Sequence, residues 1–192
     1  MMSDLVYDLK NSAGVKGEVV NDEETLKKYS RDASIFDVRP EAVAYPRDAE
    51  DVQNLVKYVA AKKVFNPSLS VTARSAGTDM SGGPLNESII ADFTKYFNRI
   101  ISVESNLNTT SPPAPPHAWG GGIKIDGFAT AQPGVYYRDF EKATLEKNLL
   151  LPCYTASKLL NTVGGMAANN SAGEKTLAFG QTKDWVEELE CV

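Results

Sequence analysis

One loop of the sequence, from Arg74 to Gly83, combines small residues and hydroxyl groups directly after a short apolar stretch. Its residues are Arg74, Ser75, Ala76, Gly77, Thr78, Asp79, Met80, Ser81, Gly82 and Gly83. Because little side-chain bulk blocks the main chain, consecutive backbone N–H groups can form a concave site for phosphate oxygens. The same composition also suits a glycine-rich structural connector. No Gly-Lys-Ser/Thr ending is present and the glycine spacing is not G-x-G-x-x-G, which excludes a P-loop and disfavours a Rossmann fingerprint.

A second segment of small residues extends from Thr162 to Gly173. Gly164 and Gly165 stand where a helix is expected to begin, and there they would let backbone N–H groups approach a ligand. A tight packing contact of the helix is the alternative interpretation. The turn Gln132–Val135 lies between the two glycine-rich segments in the sequence. Two such segments in one chain favour a shared ligand-binding role over coincidence.

The first half of the chain predicts short strands joined by helices. Apolar residues recur at helical spacing between Asp48 and Lys63. An acidic first turn after Asn21 or Asp22 predicts a second helix, which ends near Tyr29. Strands are predicted over Ala42–Tyr45, Leu69–Ala73 and Ser88–Asp92. Together these elements indicate a small α/β lobe with a partly parallel sheet.

The second half of the chain has a different pattern. Its predicted elements are a hairpin of residues 100–104 and 127–132, a helix over Tyr137–Asn148 and a closing strand over 185–192. Phe140 and Leu145 are expected to face the core. The sequence therefore predicts an N-terminal arm over residues 1–41, a first lobe over 42–98 and a second lobe over 99–192.

A proline-rich stretch interrupts the second lobe at residues 106–122. Its prolines cannot join a sheet ladder and Gly120–Gly122 add flexibility, which predicts an extended surface loop. A recognition site for an aromatic groove is the functional alternative. His117, the only histidine of the chain, lies in this stretch. It is expected to be a solvent-exposed loop residue rather than a base or a ligand.

The composition is that of a soluble globular protein whose 192 residues carry a formal net charge of -5. Such a chain has no cationic field for a phosphate backbone, so nucleic acid is not expected as a partner. No run of about 18 apolar residues occurs, and a transmembrane segment is not predicted. The opening residues lack a basic region followed by an apolar stretch, which predicts a cytoplasmic location. Cys153 and Cys191 have no metal-ligand spacing and are expected to be free thiols, one or both in the core.

Five blocks of the sequence carry a resemblance to a known family. They are YSRDAS at Tyr29–Ser34, the stretch Pro40–Tyr58, the loop Arg74–Gly83, QPGV at Gln132–Val135 and the stretch Asn161–Val186. Together they resemble the FAD-binding domain of the vanillyl-alcohol oxidase and p-cresol methylhydroxylase (PCMH) type. Within that family the sequence is most similar to the D-lactate dehydrogenase and glycolate oxidase FAD-subunit branch. The resemblance covers nearly the whole chain apart from the proline-rich stretch.

The resemblance implies an α+β fold of two lobes with FAD between them. It assigns a pyrophosphate loop to Arg74, Ser75, Ala76, Gly77, Thr78, Asp79, Met80 and Ser81, and a Pro-Gly turn to Pro133, Gly134 and Val135. It assigns isoalloxazine and ribityl contacts to Tyr154, Thr155, Ser157, Thr162, Val163, Gly164, Gly165, Ala168, Asn169, Ser171 and Gly173. Members that attach FAD covalently at this loop carry histidine at the position of Thr78. The family therefore implies non-covalent FAD in this chain.

The family also implies what the intact protein does. It would oxidise a small 2-hydroxy acid of the D-lactate or glycolate type by hydride transfer to flavin, and pass electrons to a quinone, a cytochrome or a partner protein. Members place their substrate-binding and acid/base residues mostly in a C-terminal cap domain. We therefore assign no catalytic residue and no metal ligand here, and expect a C-terminally truncated chain that is inactive alone. Two alternatives stay open: a flavoenzyme resembling UDP-N-acetylenolpyruvoylglucosamine reductase, and a non-catalytic flavin-carrying module.

Overall fold

The computed structural model of the protein describes residues 5–105 and 127–192. These residues divide into two compact units, the first formed by residues up to 97 together with 190–192, and the second by those from 98 to 189. The predicted proline-rich loop at 106–122, with His117, lies outside the described residues.

The first unit is a small mixed sheet with helices packed against it. Its helices are α1 (Leu5–Asn11), α2 (Glu23–Tyr29) and α3 (Ala49–Lys62), and its strands are β1 (Glu18–Val20), β2 (Ala42–Tyr45), β3 (Val71–Arg74) and β4 (Ile89–Asp92). The strand order is β1-β2-β4-β3. Strand β4 pairs in parallel with both β2 and β3, whereas β1 joins β2 antiparallel. The predicted partly parallel sheet is confirmed, with β1 as a fourth strand that the sequence pattern did not indicate.

Aspartate caps begin both of the helices predicted in this unit. The Asp22 carboxylate accepts a hydrogen bond from the backbone N–H of Thr25 at 2.9 Å. Asp48 accepts one from the backbone N–H of Asp51 at 2.9 Å. Such a cap pairs an N–H group that the first helical turn leaves without a carbonyl partner. The capping residues thus define where α2 and α3 begin.

The carboxylate of Asp51 is fully buried and ties three chain segments together. It accepts hydrogen bonds from the backbone N–H groups of Lys16 at 2.8 Å, Gly17 at 2.9 Å and Arg47 at 2.9 Å. Gly17 is required at this crossing because a Cβ atom there would lie 2.0 Å from the carbonyl oxygen of Tyr45. Helix α3 is therefore fixed against the entry to β1 and the end of β2.

Apolar side chains cover both faces of the sheet. On one face, Leu55 and Val59 of α3 pack with Ile89 of β4. On the other face, Ile90 packs with Tyr29 of α2. Burial on both faces explains why β2 and β4 are continuous apolar runs rather than alternating patterns. The sheet is consequently a firm base for the glycine-rich loop, which follows β3.

In its described residues, the second unit contains a two-stranded antiparallel sheet and several short helices. Its elements are β5 (Ile100–Ser105), β6 (Gly127–Ala131), α4 (Tyr137–Leu145), α5 (Val163–Ala168), α6 (Thr176–Phe179) and a 3-10 turn over Thr182–Trp185. Strands β5 and β6 pair antiparallel, which confirms the predicted pairing. Its core consists of Val135, Tyr137, Phe140, Cys153 and Met166. Cys153 is buried and Cys191 exposed, and both are free thiols as predicted.

The prediction that Leu145 faces the core is wrong. Its side chain is 53% exposed, whereas Tyr137, Phe140 and Thr144 are buried. Those three positions repeat at the i, i+3 and i+7 spacing of one helix face, and Leu145 lies to the side of that face. The helix also ends at Leu145 instead of Asn148, which adopts a left-handed backbone with φ 57°.

The predicted closing strand over residues 185–192 is also wrong. Thr182–Trp185 forms a 3-10 turn, in which Gln181 and Asp184 form a reciprocal capping box. The indole N–H of Trp185 donates to the carbonyl oxygen of Phe179 at 2.8 Å. A strand requires a paired neighbour, and in the described part of the chain no strand lies beside the closing residues. The sequence of apolar and acidic residues over 185–192 was therefore not sufficient to form a strand.

Within residues 5–105 and 127–192, no helix combines the length and the apolar character that crossing a lipid bilayer requires.

Candidate functional site

The glycine-rich loop leaves the sheet at the carboxyl end of β3. Strands β2, β3 and β4 run parallel, so their carboxyl ends share one edge of the sheet. In open α/β sheets this edge is where ligands bind. The position of the loop, residues 75–83, is therefore suited to ligand binding before any side chain is considered.

Four successive backbone N–H groups of this loop have no hydrogen-bond acceptor. They belong to Ser75, Ala76, Gly77 and Thr78, and none of them donates to another group in the described part of the chain. All four residues are partly exposed. Backbone N–H groups in folded proteins are nearly always paired with protein, water or ligand. Consecutive unpaired ones form a concave donor site that suits a group with several anionic oxygens.

The second half of the loop is already occupied by its own carboxylate. One oxygen of Asp79 accepts hydrogen bonds from Ser81 N at 3.1 Å, Ser81 Oγ at 2.6 Å and Gly83 N at 2.9 Å. The Ser81 hydroxyl and the Gly83 N–H lower the pKa of Asp79, because both stabilise its ionised form. Met80 points outward and is 81% exposed. Asp79 therefore engages donors in the second half of the loop and leaves the N–H groups of residues 75–78 without an acceptor.

Gly77 allows the loop to fold closely against Arg74. Its φ is +69°, a backbone conformation that favours glycine, and a Cβ atom there would lie 2.5 Å from Nη2 of Arg74. The carbonyl oxygen of Gly77 accepts a hydrogen bond from Ala33 N at 3.1 Å. The loop is thus attached to the segment that follows α2, which contains the YSRDAS block.

The guanidinium of Arg74 is directed at that same segment. Nη1 donates to the carbonyl oxygen of Tyr29 at 3.1 Å and Nη2 to that of Arg31 at 2.6 Å. The guanidinium carbon also lies 5.0 Å from the centre of the Tyr29 ring. Burial lowers the pKa of Arg74, and nearby Tyr29, Asp32 and Asp92 oppose that shift. An arginine remains protonated under such a shift, so a buried positive charge lies behind the loop.

The hydroxyl of Tyr29 and the carboxylate of Asp92 form a buried hydrogen-bonded pair. The Tyr29 hydroxyl donates to Asp92 Oδ2 at 2.8 Å, and the Tyr45 hydroxyl donates to Tyr29 at 3.2 Å. Burial is the main cause that raises the pKa of Tyr29, and the Asp92 charge adds to it. Asp92 also accepts from the backbone N–H and the hydroxyl of Thr94. The carboxyl ends of β2 and β4 are therefore linked to the end of α2.

In the second unit, the Pro-Gly turn and the start of α5 lie side by side. Val163 N donates to the carbonyl oxygen of Val135 at 2.9 Å, and Gly164 N donates to that of Pro133 at 2.8 Å. A Cβ atom on Gly164 would lie 2.3 Å from Cβ of Pro133. Gly165 N donates to the capping hydroxyl of Thr162 at 3.1 Å. The N–H groups of Gly164 and Gly165 are therefore engaged within the protein, and these glycines would serve a ligand by close approach.

The hydroxyls of Thr155 and Ser157 form a polar group beside this turn. They lie 3.0 Å apart, and Nδ2 of Asn161 donates to Thr155 Oγ1 at 3.0 Å. Asn161 is 4% exposed, and its Oδ1 has no hydrogen-bond partner among the described residues. A buried amide oxygen without a partner is uncommon and carries a cost in stability.

Gly173 brings the end of the second small-residue segment against Tyr154. A Cβ atom on Gly173 would lie 1.9 Å from the carbonyl oxygen of Tyr154. The Tyr154 hydroxyl donates to Glu174 Oε1 at 3.2 Å, and the ammonium groups of Lys158 and Lys175 lie 4.6 and 5.2 Å from its ring centre. The hydroxyl and the backbone N–H of Thr182 both donate to the carbonyl oxygen of Ser171. Ala168 and Asn169 are exposed at the end of α5.

The predicted site residues therefore form two groups, each within one unit. The loop residues 74–81 belong to the first unit, and the residues from Pro133 to Gly173 belong to the second. The first group presents unpaired donors, which suit the oxygens of a diphosphate. The second presents hydroxyls, a buried amide oxygen without a partner and glycine-made close contacts, which suit a flat ring system and a polyol chain. Both fit the parts of FAD.

Three residues that belong to these groups or support them were not singled out from the sequence as site residues. Tyr29 and Asp92 support the loop from other elements, and Asn161 lies among the predicted flavin contacts. Tyr29 and Asn161 stand at the beginnings of blocks that carry the family resemblance, which was the available signal. Asp92 appeared only as the end of an apolar strand, and nothing in the sequence around it indicated a bond to Tyr29.

Comparison with known proteins gives a family match for most of the chain. Residues 40–192 match the family described as "FAD binding domain". The D-2-hydroxyglutarate dehydrogenase of Stutzerimonas stutzeri is 27% identical over 92% of this chain and 33% of its own length. The glycolate oxidase subunit GlcD of Bacillus subtilis is 29% identical over 85% and 30%. The D-lactate dehydrogenase of Archaeoglobus fulgidus is 25% identical over 84% and 33%. The chain thus spans about a third of the length of these relatives.

Solved structures share the fold. The structure of p-cresol methylhydroxylase with substrate bound superposes with a TM-score of 0.60 and 17% sequence identity. The match covers 89% of this chain and 30% of that protein. At this identity the similarity concerns the fold alone, and it confirms the α+β fold of the PCMH type that the sequence predicted.

Gly77→Val tests whether the loop conformation matters for flavin binding. A β-branched side chain resists positive φ and would collide with Arg74, so we expect the affinity for FAD to fall at least about tenfold. Titration with FAD, followed by quenching of its fluorescence, measures this below the unfolding temperature.

Gly14→Val is the matched control for that variant. Gly14 has a φ of +73° but its Cβ would meet only Asn54, at 3.7 Å. It carries similar backbone strain far from the loop in sequence, and FAD affinity should stay within about twofold of the unmodified protein. Equal affinities in Gly77→Val and the unmodified protein would contradict a role for this loop.

Proposed function

The chain belongs to the FAD-binding domain family, and from that premise we propose that it forms the FAD-binding portion of an oxidoreductase that acts on a small 2-hydroxy acid. The observation that carries the proposal is the row of unpaired N–H groups at Ser75, Ala76, Gly77 and Thr78. These donors match a diphosphate, and they stand at the sheet edge where ligands of such folds bind.

The remaining parts of FAD are assigned to the second unit. Thr155, Ser157 and the start of α5 offer hydroxyls and a closely packed turn for the ribityl chain and the ring. Gly164 and Gly173 support this role. A side chain at either position would collide with backbone atoms, and without one the backbone is open to close approach by a ligand. FAD, when bound, supplies the hydride-accepting chemistry. The residues of this chain bind and orient it.

The relatives' names support the substrate class. They are a D-2-hydroxyglutarate dehydrogenase, a glycolate oxidase subunit and a D-lactate dehydrogenase. The three named compounds share a hydroxyl group next to a carboxylate, and this shared chemistry is what we propose for the intact protein. Because this chain spans about a third of those relatives, we place substrate recognition outside it. The chain alone is then expected to hold FAD without oxidising substrate.

We further propose that FAD is held without a covalent bond at this loop. Family members that bind FAD covalently at this loop carry histidine at the position of Thr78. A threonine hydroxyl does not form the histidyl link. Denaturing the FAD-loaded protein with acid should therefore release all of the flavin into the supernatant, where its fluorescence is measured. Flavin that stays with the precipitated chain after washing would contradict the proposal.

Reduction of the flavin tests the reaction. Under anaerobic conditions, D-lactate, glycolate or D-2-hydroxyglutarate should bleach the flavin absorption of the intact protein. The chain of residues 1–192 loaded with FAD should stay yellow until dithionite is added. Failure of all three acids to bleach the intact protein would contradict the substrate class and favour a flavin-carrying module. Bleaching of residues 1–192 alone would contradict the placement of substrate recognition outside this chain.

A further inference from the structure

We propose that Arg74 and the segment from Tyr29 to Ala33 form a clamp that sets the shape of the phosphate-binding loop, so that Arg74 is a positioning residue and not a ligand of the phosphates. This inference rests on the proposed function of the loop. It assigns a role to the YSRDAS block, which the function has not otherwise used.

The direction of the guanidinium is the first support. Both of its terminal nitrogens donate to backbone carbonyl oxygens of the segment, at Tyr29 and Arg31. Arg74 is 9% exposed, and its guanidinium carbon lies over the Tyr29 ring. The planar fork of arginine suits two acceptors at fixed positions. With these donors turned to the segment, the side chain fastens the end of β3 to the residues that follow α2.

A second attachment lies three residues further along the loop. Ala33 N donates to the carbonyl oxygen of Gly77 at 3.1 Å, and the missing side chain of Gly77 leaves room for the guanidinium. The unpaired N–H groups of residues 75–78 lie between and just after these two attachment points. Fixing both points holds the loop with its donors unpaired, which reduces the ordering cost of binding an anion.

The segment itself is anchored in the sheet. Tyr29 donates to the buried carboxylate of Asp92 at the end of β4, and Asp92 is held by Thr94. The clamp therefore links the loop to the end of β4 through Tyr29 and Asp92.

Arg74→Lys and Arg74→Gln separate geometry from charge. A lysine keeps the positive charge but is a single point donor that cannot hold two carbonyls in a fork. If the clamp is what matters, both variants should lose FAD affinity by at least about tenfold, and by amounts within about threefold of each other. Near-normal affinity in Arg74→Lys would overturn the clamp and indicate that charge alone is used. Fluorescence titration with FAD gives these affinities.

Tyr29→Phe tests the anchor of the clamp. It removes the hydrogen bond to Asp92 but keeps the ring and the backbone carbonyl that Arg74 contacts, so FAD affinity should fall, by less than in the Arg74 variants. The thermal midpoint of each flavin-free variant is recorded in parallel. A loss of affinity that exceeds what the fall in thermal midpoint explains is expected for the Arg74 variants.

Ala33→Pro tests the same clamp from the other side if the Arg74 variants do not fold. Ala33 is an exposed residue, and the proline removes its N–H, which donates to the carbonyl oxygen of Gly77, while leaving Arg74 intact. Ala33→Ser keeps that N–H. We expect weaker FAD binding in Ala33→Pro alone. If the unmodified protein does not bind FAD, the proposed function fails. If it binds FAD and the folded clamp variants bind equally well, only the clamp fails.

Discussion

A backbone N–H group needs an acceptor, and at residues 75–78 the described chain supplies none. The rest of the first unit accounts for how such a state is maintained. The parallel sheet brings the end of β3 to an open edge, Gly77 accepts a positive φ, and Arg74 is held from behind by the segment after α2. Each of these features costs conformational freedom, and together they leave donors that suit the oxygens of a bound anion.

The second unit also contains a segment of glycines and other small residues, but their structural role differs from that of the loop residues. Its glycines at the start of α5 do not offer free N–H groups, because Gly164 and Gly165 donate to Pro133 and Thr162. Gly164 is needed instead for close packing, because the start of α5 crosses the Pro-Gly turn so closely that a Cβ atom at Gly164 would collide with Pro133. Small residues in the two glycine-rich segments therefore have separate physical causes: open donors in the loop and close packing beside the Pro-Gly turn.

Features of the fold that depend on neighbouring residues could be predicted from the sequence, whereas contacts between distant segments could not. The helix starts at Asp22 and Asp48 depend on local capping chemistry, and the parallel strands depend on burial of both faces of the sheet. Both kinds of feature were predictable from the sequence. The direction of Arg74 was not, since its acceptors lie far upstream in the sequence. Likewise, a pattern of apolar residues could not decide between Thr144 and Leu145 for the core, or supply the partner that a closing strand requires. Contacts distant in sequence decide these points.

The central claim is that the N–H groups of residues 75–78 receive the diphosphate of FAD. Hydrogen–deuterium exchange of these amides, with saturating FAD and with riboflavin, measures this directly, because riboflavin has the same ring and polyol but no phosphate. The account predicts markedly slower exchange at residues 75–78 with FAD and little change with riboflavin. Unchanged exchange at these amides in protein saturated with FAD would contradict it.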